Sequence, residues 1–199
     1  MPSEIILITG FGPFKDHKVN ASWEAVKELR TIAELKHLII HEIAVEYNHV
    51  DVVVPMLWKK YDPKLVIHVG VSSIANKITL ETCAFRNGYN RLDCKGNTLK
   101  NGECANEKGT DVIFTELNTQ EICNAINNQG KLKSCVSKNA GRYLCEYTFY
   151  KSLTIDKERT LFVHVPPLNS PYNERELAEG LLLILQKALE QLETKDNEV

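Results

Sequence analysis

The 199-residue chain has no apolar run near the roughly 20 residues that a membrane-spanning helix needs, so no membrane partner is expected. Its first apolar run, Ile5 to Ile8, is far shorter than a signal h-region and follows no basic n-region, which argues against a secretory route. An excess of either charge is lacking as well. With 24 Lys and Arg against 26 Asp and Glu the formal charge is −2, and no basic run is longer than Lys131-Leu132-Lys133, so no nucleic-acid partner is expected. There is no Cys-x-x-Cys among the six cysteines, and at least nine residues separate any two neighbours, which speaks against a structural zinc site. An even cysteine count would permit disulfides, but without secretion the expectation is reduced thiols and a cytoplasmic protein. Internal repeats and low-complexity tracts are also missing, and no motif calls for a cofactor or a metal.

What the chain does contain is a rhythm. Ile5–Thr9, Ser22–Ile32, Leu38–Ala44, Val50–Lys60 and Leu65–Val71 alternate β-rich with helical patterns, the βαβαβ order of a mostly parallel sheet. Ile5-Ile6-Leu7-Ile8 and Leu65-Val66-Ile67-His68-Val69 are continuously apolar, as strands covered on both faces must be. The fold class is therefore α/β: a three-layer α/β/α sandwich around a mostly parallel, mixed and twisted sheet, in one domain over residues 1–199. Ile78 to Phe85 alternates with period two and reads as one further strand in a different setting. Arg86 to Gly109 is polar and aperiodic, which suggests a long surface excursion over the site. Asn118-Thr119-Gln120-Glu121 and Asn173-Glu174-Arg175-Glu176 read as capping boxes, the second opening a helix from Glu174 to about Leu192. Thr194–Val199 reads as a frayed tail. Asn20-Ala21-Ser22 matches a glycosylation sequon but is more simply a helix start.

Reactive groups in such folds collect where strands end and helices begin. Cys145 sits in Gly141-Arg142-Tyr143-Leu144-Cys145, after a short strand candidate Val136–Lys138 and a turn at Ala140-Gly141, near the first turn of a helix. A helix N-terminus and an imidazolium both lower a thiol pKa, so Cys145 is a candidate nucleophile, against the bland alternative of a buried small hydrophobe. His164 and His68 stand in near-identical apolar strand contexts, and either could be a base or a satisfied core histidine. Glu81 is the best candidate for the acceptor that orients the imidazole, although an edge strand could also turn it to solvent. Thr9-Gly10-Phe11-Gly12-Pro13-Phe14 is a poor phosphate loop, because Pro13 removes an amide donor and neither a third glycine nor a lysine follows. Phe11 and Phe14 could wall a small flat ligand or simply pack the core.

Taken in order, Thr9–Phe14, Asn20-Ala21-Ser22-Trp23, Val69-Gly70-Val71-Ser72, Thr79-Leu80-Glu81, Ala140–Cys145 and Val163-His164-Val165-Pro166-Pro167-Leu168 resemble the pyroglutamyl-peptidase I family of cysteine peptidases. Val45-Glu46-Tyr47 and Pro166–Asn173 look closer to the animal members than to the bacterial ones. The resemblance implies removal of N-terminal pyroglutamate from peptides, a triad of Glu81, Cys145 and His164, and a substrate pocket drawn from Phe11, Phe14, Asn20 and Val71. It implies pyroglutamyl peptides as partners and no cofactor; a monomer is favoured, although bacterial relatives oligomerise. The chain departs from the pattern at Val71, where bacterial members often carry glutamine, in the segment from Arg86 to Gly109, and at Glu146, where relatives tend to have Asn or Asp. A silent ligand-binding domain on the same fold, or a nucleotide-binding enzyme, would be the rival readings.

Overall fold

Ile6–Phe11 (β1) and Leu65–Val71 (β3) lie at the middle of a six-stranded sheet, where their unbroken hydrophobicity is explained by helices on both faces. In the computed structural model, which describes residues 4–14, 19–104 and 110–198, the strand order is β2-β1-β3-β8-β4-β7. Leu38–Ile43 (β2), β1, β3 and Thr160–Val165 (β8) run parallel. Ile78–Glu81 (β4) reverses against β8, and Ser134–Ser137 (β7) runs parallel to β4 at the rim.

Ala21–Ile32 (α1), Thr119–Gln129 (α3) and Glu174–Glu198 (α5) cover one face, joining Ile8, Ile67 and Val163 in one apolar cluster. Tyr47–Tyr61 (α2) and Leu144–Ile155 (α4) cover the other with Leu7, Val66 and Phe162. These are the three layers expected from the sequence. None of the helices is long and apolar enough to cross a membrane, among the described residues.

Two expectations need correction and a third gains detail. The alternating run Ile78 to Phe85 is two strands, because Thr82 breaks it: its N–H and its Oγ1 both donate to Ser137 O, and the chain then leaves the main sheet. Cys83–Phe85 (β5) pairs instead with Val112–Phe114 (β6) in a separate two-stranded sheet. The segment from Arg86 does run over the surface, most of its described residues being exposed, but it is pinned down at intervals: Tyr89, Asp93 and Cys104 are buried, and Asp93 accepts the N–H groups of Tyr47, Lys95 and Asn97. Residues 105–109 of that segment lie outside the described residues. Finally, α5 continues through Glu198, so Thr194–Glu198 is helix rather than frayed tail. Thr194 Oγ1 donates to Glu190 O and Lys195 pairs with Glu116, which tethers this last turn to the body of the protein.

The capping box at Asn173 forms in full and the one at Asn118 only in half, because the Asn118 N–H donates to Gln191 Oε1 instead of to Glu121. Asn118 accepts from Glu121 N–H, while Asn173 and Glu176 exchange backbone-to-side-chain bonds in both directions.

Candidate active site

The parallel strands β1, β3 and β8 end together, and α4 begins above that edge. In the sheet register Gly70 of β3 stands beside His164 of β8, and Thr79 of the reversed strand β4 flanks His164 on its other side. Glu81 stands beside Phe162, two positions back along β8, with its side chain on the same face as His164. The reversal lets an acid from one strand meet a base from the next.

Glu81 Oε1 lies 2.8 Å from His164 Nδ1, and both side chains are buried. The Cys145 sulfur acts on the same ring, and with Nδ1 engaged by Glu81 the nitrogen left to face it is Nε2. Burial opposes a charge on this imidazole, but the Cys145 sulfur and the Glu81 carboxylate outweigh it and push the His164 pKa up to about 10. The structure thus brings together all three residues of the expected triad.

Cys145 is partly buried in the first turn of α4, which begins after Tyr143. The N–H groups of a first turn have no intrahelical acceptor, so donors and the positive end of the helix dipole surround the sulfur. The thiol sits directly over the sheet: a methyl group added at Gly70 would lie 2.7 Å from Cys145 Sγ and 2.9 Å from Phe162 Cζ. No larger residue than glycine leaves room for the nucleophile there.

His68 is the other histidine that the sequence left open. It is fully buried, one row deeper than Gly70, with Thr9 Oγ1 2.7 Å from its Nδ1 and Phe162 beside its ring. Burial alone drives its pKa down to about 3, so it is a neutral core residue.

The four expected pocket residues divide. Phe11 is buried and Phe14 half-buried in the α2/α4 cluster that also contains Cys145. Asn20 is a structural clamp: its Oδ1 accepts from the N–H and Oγ of Ser22, and its Nδ2 donates to Gly12 O. Ser22 Oγ in turn accepts from Phe11 N–H, so the asparagine fixes the Phe11 loop rather than offering a free donor. Val71 packs into the α1/α5 cluster, on the face away from the thiol, as strand alternation after Gly70 requires. Its side chain is therefore no pocket wall.

The site also contains residues to which the sequence reading gave no role, and it shows where Glu146, noted there only as a departure from the family pattern, is directed. Tyr143, which caps α4, donates from its hydroxyl to Leu92 O and carries the Arg91 guanidinium 4.0 Å from its ring centroid. The loop after β5 is thereby fastened to the start of the nucleophile's helix. Glu146, adjacent to Cys145, points away from the thiol: it accepts from Arg142 N–H at 2.7 Å and Phe85 N–H at 3.0 Å and pairs with the Arg142 guanidinium. Sequence alone offered only the proximity of Arg142 and Glu146, spaced as helical ion pairs are. Among the described residues no group of three or more His, Cys, Asp or Glu side chains is arranged to hold a metal.

Comparison with known proteins agrees with this geometry. A family model described as pyroglutamyl peptidase matches residues 4–193. Human pyroglutamyl-peptidase 1 is 40% identical over 205 residues, spanning 100% of this chain and 96% of that protein. The pyrrolidone-carboxylate peptidase of Lactobacillus acidophilus is 33% identical over 83% of this chain and 84% of its own. Among solved structures, Bacillus amyloliquefaciens pyroglutamyl peptidase I matches with a TM-score of 0.82 at 27% identity, covering 93% of this chain and 96% of that one.

Proposed function

The chain belongs to the pyroglutamyl peptidase family, and from that premise we propose a cysteine peptidase that removes N-terminal pyroglutamate from peptides. The observation that carries the residue assignment is the Glu81–His164 hydrogen bond of 2.8 Å on an imidazole whose charge the Cys145 sulfur also supports.

In this reading Cys145 reacts as the thiolate, the nucleophilic form of cysteine, beside a His164 imidazolium that a pKa of about 10 keeps protonated. The sulfur attacks the pyroglutamyl carbonyl carbon, forming the C–S bond and an oxyanion. N–H groups from the first turn of α4 receive that oxyanion; Arg142 N–H is not among them, being engaged by Glu146. When the intermediate collapses the C–N bond breaks, and His164 gives its Nε2 proton to the departing amine. Water then attacks the thioester as His164 takes its proton, and the C–S bond breaks, releasing pyroglutamate and restoring the Cys145 thiolate and the His164 imidazolium. Glu81 keeps Nδ1 protonated and stabilises the cationic ring throughout.

Phe11 and Phe14 supply apolar walls suited to an uncharged lactam, held in place by the Asn20 and Ser22 clamp. We further read the protein as one cytoplasmic domain acting as a monomer; all six cysteines are free thiols, as a reducing compartment allows.

The test is hydrolysis of pyroglutamyl-aminocoumarin. The wild type should release the fluorophore and Cys145→Ala should not; equal rates, or an inactive wild type, would end the reading.

A further inference from the structure

Acidic residues in the first turn of a helix ordinarily face water and complement the dipole. Glu146 stands in that turn of α4 with its side chain wholly buried, directly after the nucleophile. Its two oxygens serve two distant pieces of chain. Oε2 takes the N–H of Arg142, in the turn that launches α4, and Oε1 takes the N–H of Phe85 at the end of β5. β5 begins at Cys83, only Thr82 separating it from Glu81. One carboxylate therefore joins the segment that carries the acid to the helix that carries the thiol.

The turn it holds is strained. Arg142 has a φ of +50°, left-handed for a residue with a side chain, after Gly141 at +98°. Such a conformation costs on the order of 1–2 kcal/mol and persists only when its surroundings impose it. The Arg142 guanidinium also pairs with Glu146 and lies 3.7 Å from the Phe85 ring centroid, so the side chain closes the same loop that its backbone opens.

We propose that Glu146 is a positioning residue: it fixes the start of α4 against the acid's segment, and its pairing with Arg142 offsets the negative charge it would otherwise place beside the Cys145 sulfur. The proposal rests on reading Cys145 as the peptidase nucleophile. The other titratable groups around the pair are His164 on β8, Glu81 on β4, Cys83 on β5, Tyr89 in the following loop, and Tyr143 at the cap. Of these, Cys83 and Tyr89 feel the Glu146 charge directly, and both stay neutral because burial first, and then that charge, raises their pKa. Among the described residues only Arg142 is a cation in contact with Glu146.

Glu146→Gln separates this role from plain packing, since an amide has one acceptor oxygen and can keep only one of the two N–H bonds. In the full chain, kcat on pyroglutamyl-aminocoumarin should fall about 100-fold with KM nearly unchanged, the scale of a small misplacement at a nucleophile. Independently, the pH midpoint for iodoacetamide alkylation of Cys145, followed by mass spectrometry, should move down by about one unit, because Arg142 is left without its counter-charge. A folded Glu146→Gln protein with wild-type kcat and an unmoved midpoint overturns the proposal. Should that variant not fold, Arg142→Leu decides: the midpoint must then move up, and a fixed midpoint overturns it. Alkylation requires no substrate, so failure of the peptidase reading would show as an inactive wild type while the alkylation result still judges Glu146.

Discussion

His68 and His164 lie on neighbouring parallel strands, offset by two positions, each between β-branched aliphatic neighbours along the strand and with Phe162 against its ring. His68 meets a threonine hydroxyl and hydrocarbon, and burial strips its charge, with a pKa near 3. His164 meets a carboxylate and a thiol, and keeps its proton to about pH 10 despite equal burial. What separates an inert imidazole from a reactive one is thus not its strand or its exposure. It is the anion supplied by the reversed strand β4 and the sulfur supplied by α4, neither of which is near either histidine in sequence.

The sharpest way to break this comparison is to remove each ring. His164→Ala should lower kcat about 100- to 10,000-fold, the range for losing a general acid–base group, whereas His68→Leu should leave kcat within about threefold. Steady-state kinetics on the pyroglutamyl substrate decides, and comparable losses at both positions would erase the distinction.

A smaller effect is expected from the glycine between them. Gly70→Ala places a methyl group against Cys145 Sγ and Phe162, and should cost about 100-fold in kcat/KM by tilting the thiol away from His164. The same assay checks it, with slower alkylation of Cys145 as the companion signal; a fully active alanine variant would mean that the sulfur does not need that space.

The smallest effect is on stability, and it has opposite signs for the two rings. His164 binds its proton more tightly when folded than at its ordinary value of 6.5, so its contribution is complete below pH 6.5 and fades as pH rises through about 10. His68 binds its proton less tightly when folded, so its contribution is present above pH 6.5 and fades as pH falls toward 3. Thermal melts across this range should show Cys145→Ala flattening the alkaline decline and His68→Leu flattening the acid one, each by a few degrees. The reverse pattern would mean that the two environments have been assigned the wrong way round.

Much of the fold was legible because buried parallel strands and amphipathic helices write their environment locally: the apolar runs at Ile5 and Leu65 and the caps at Asn118 and Asn173 say what covers them. Thr82 was not legible, since the alternation of one long strand and that of two short ones in different sheets look alike. Nor was the burial of Tyr89 and Cys104, single apolar residues spaced among polar ones. At the site, local pattern gave the thiol a helix start but could not choose its histidine. That choice needed Glu81, and Glu81 meets His164 through pairing across 83 residues of chain. Glu146 was harder still, because one of its two backbone partners is an amide 61 residues away.

β4 is held on one side by β8 and on the other by the rim strand β7, and immediately after it Thr82 sends both donors to Ser137 O. Side chains alternate along a strand, so a slip of a single residue would exchange Glu81 for Leu80 and turn the carboxylate to the far side of the sheet. The outermost and shortest-reaching partner in the architecture thus acts as the gauge that tells the acid which way to face. Polar bonds at the periphery, which contribute little to the core, carry the handedness of the chemistry at its centre.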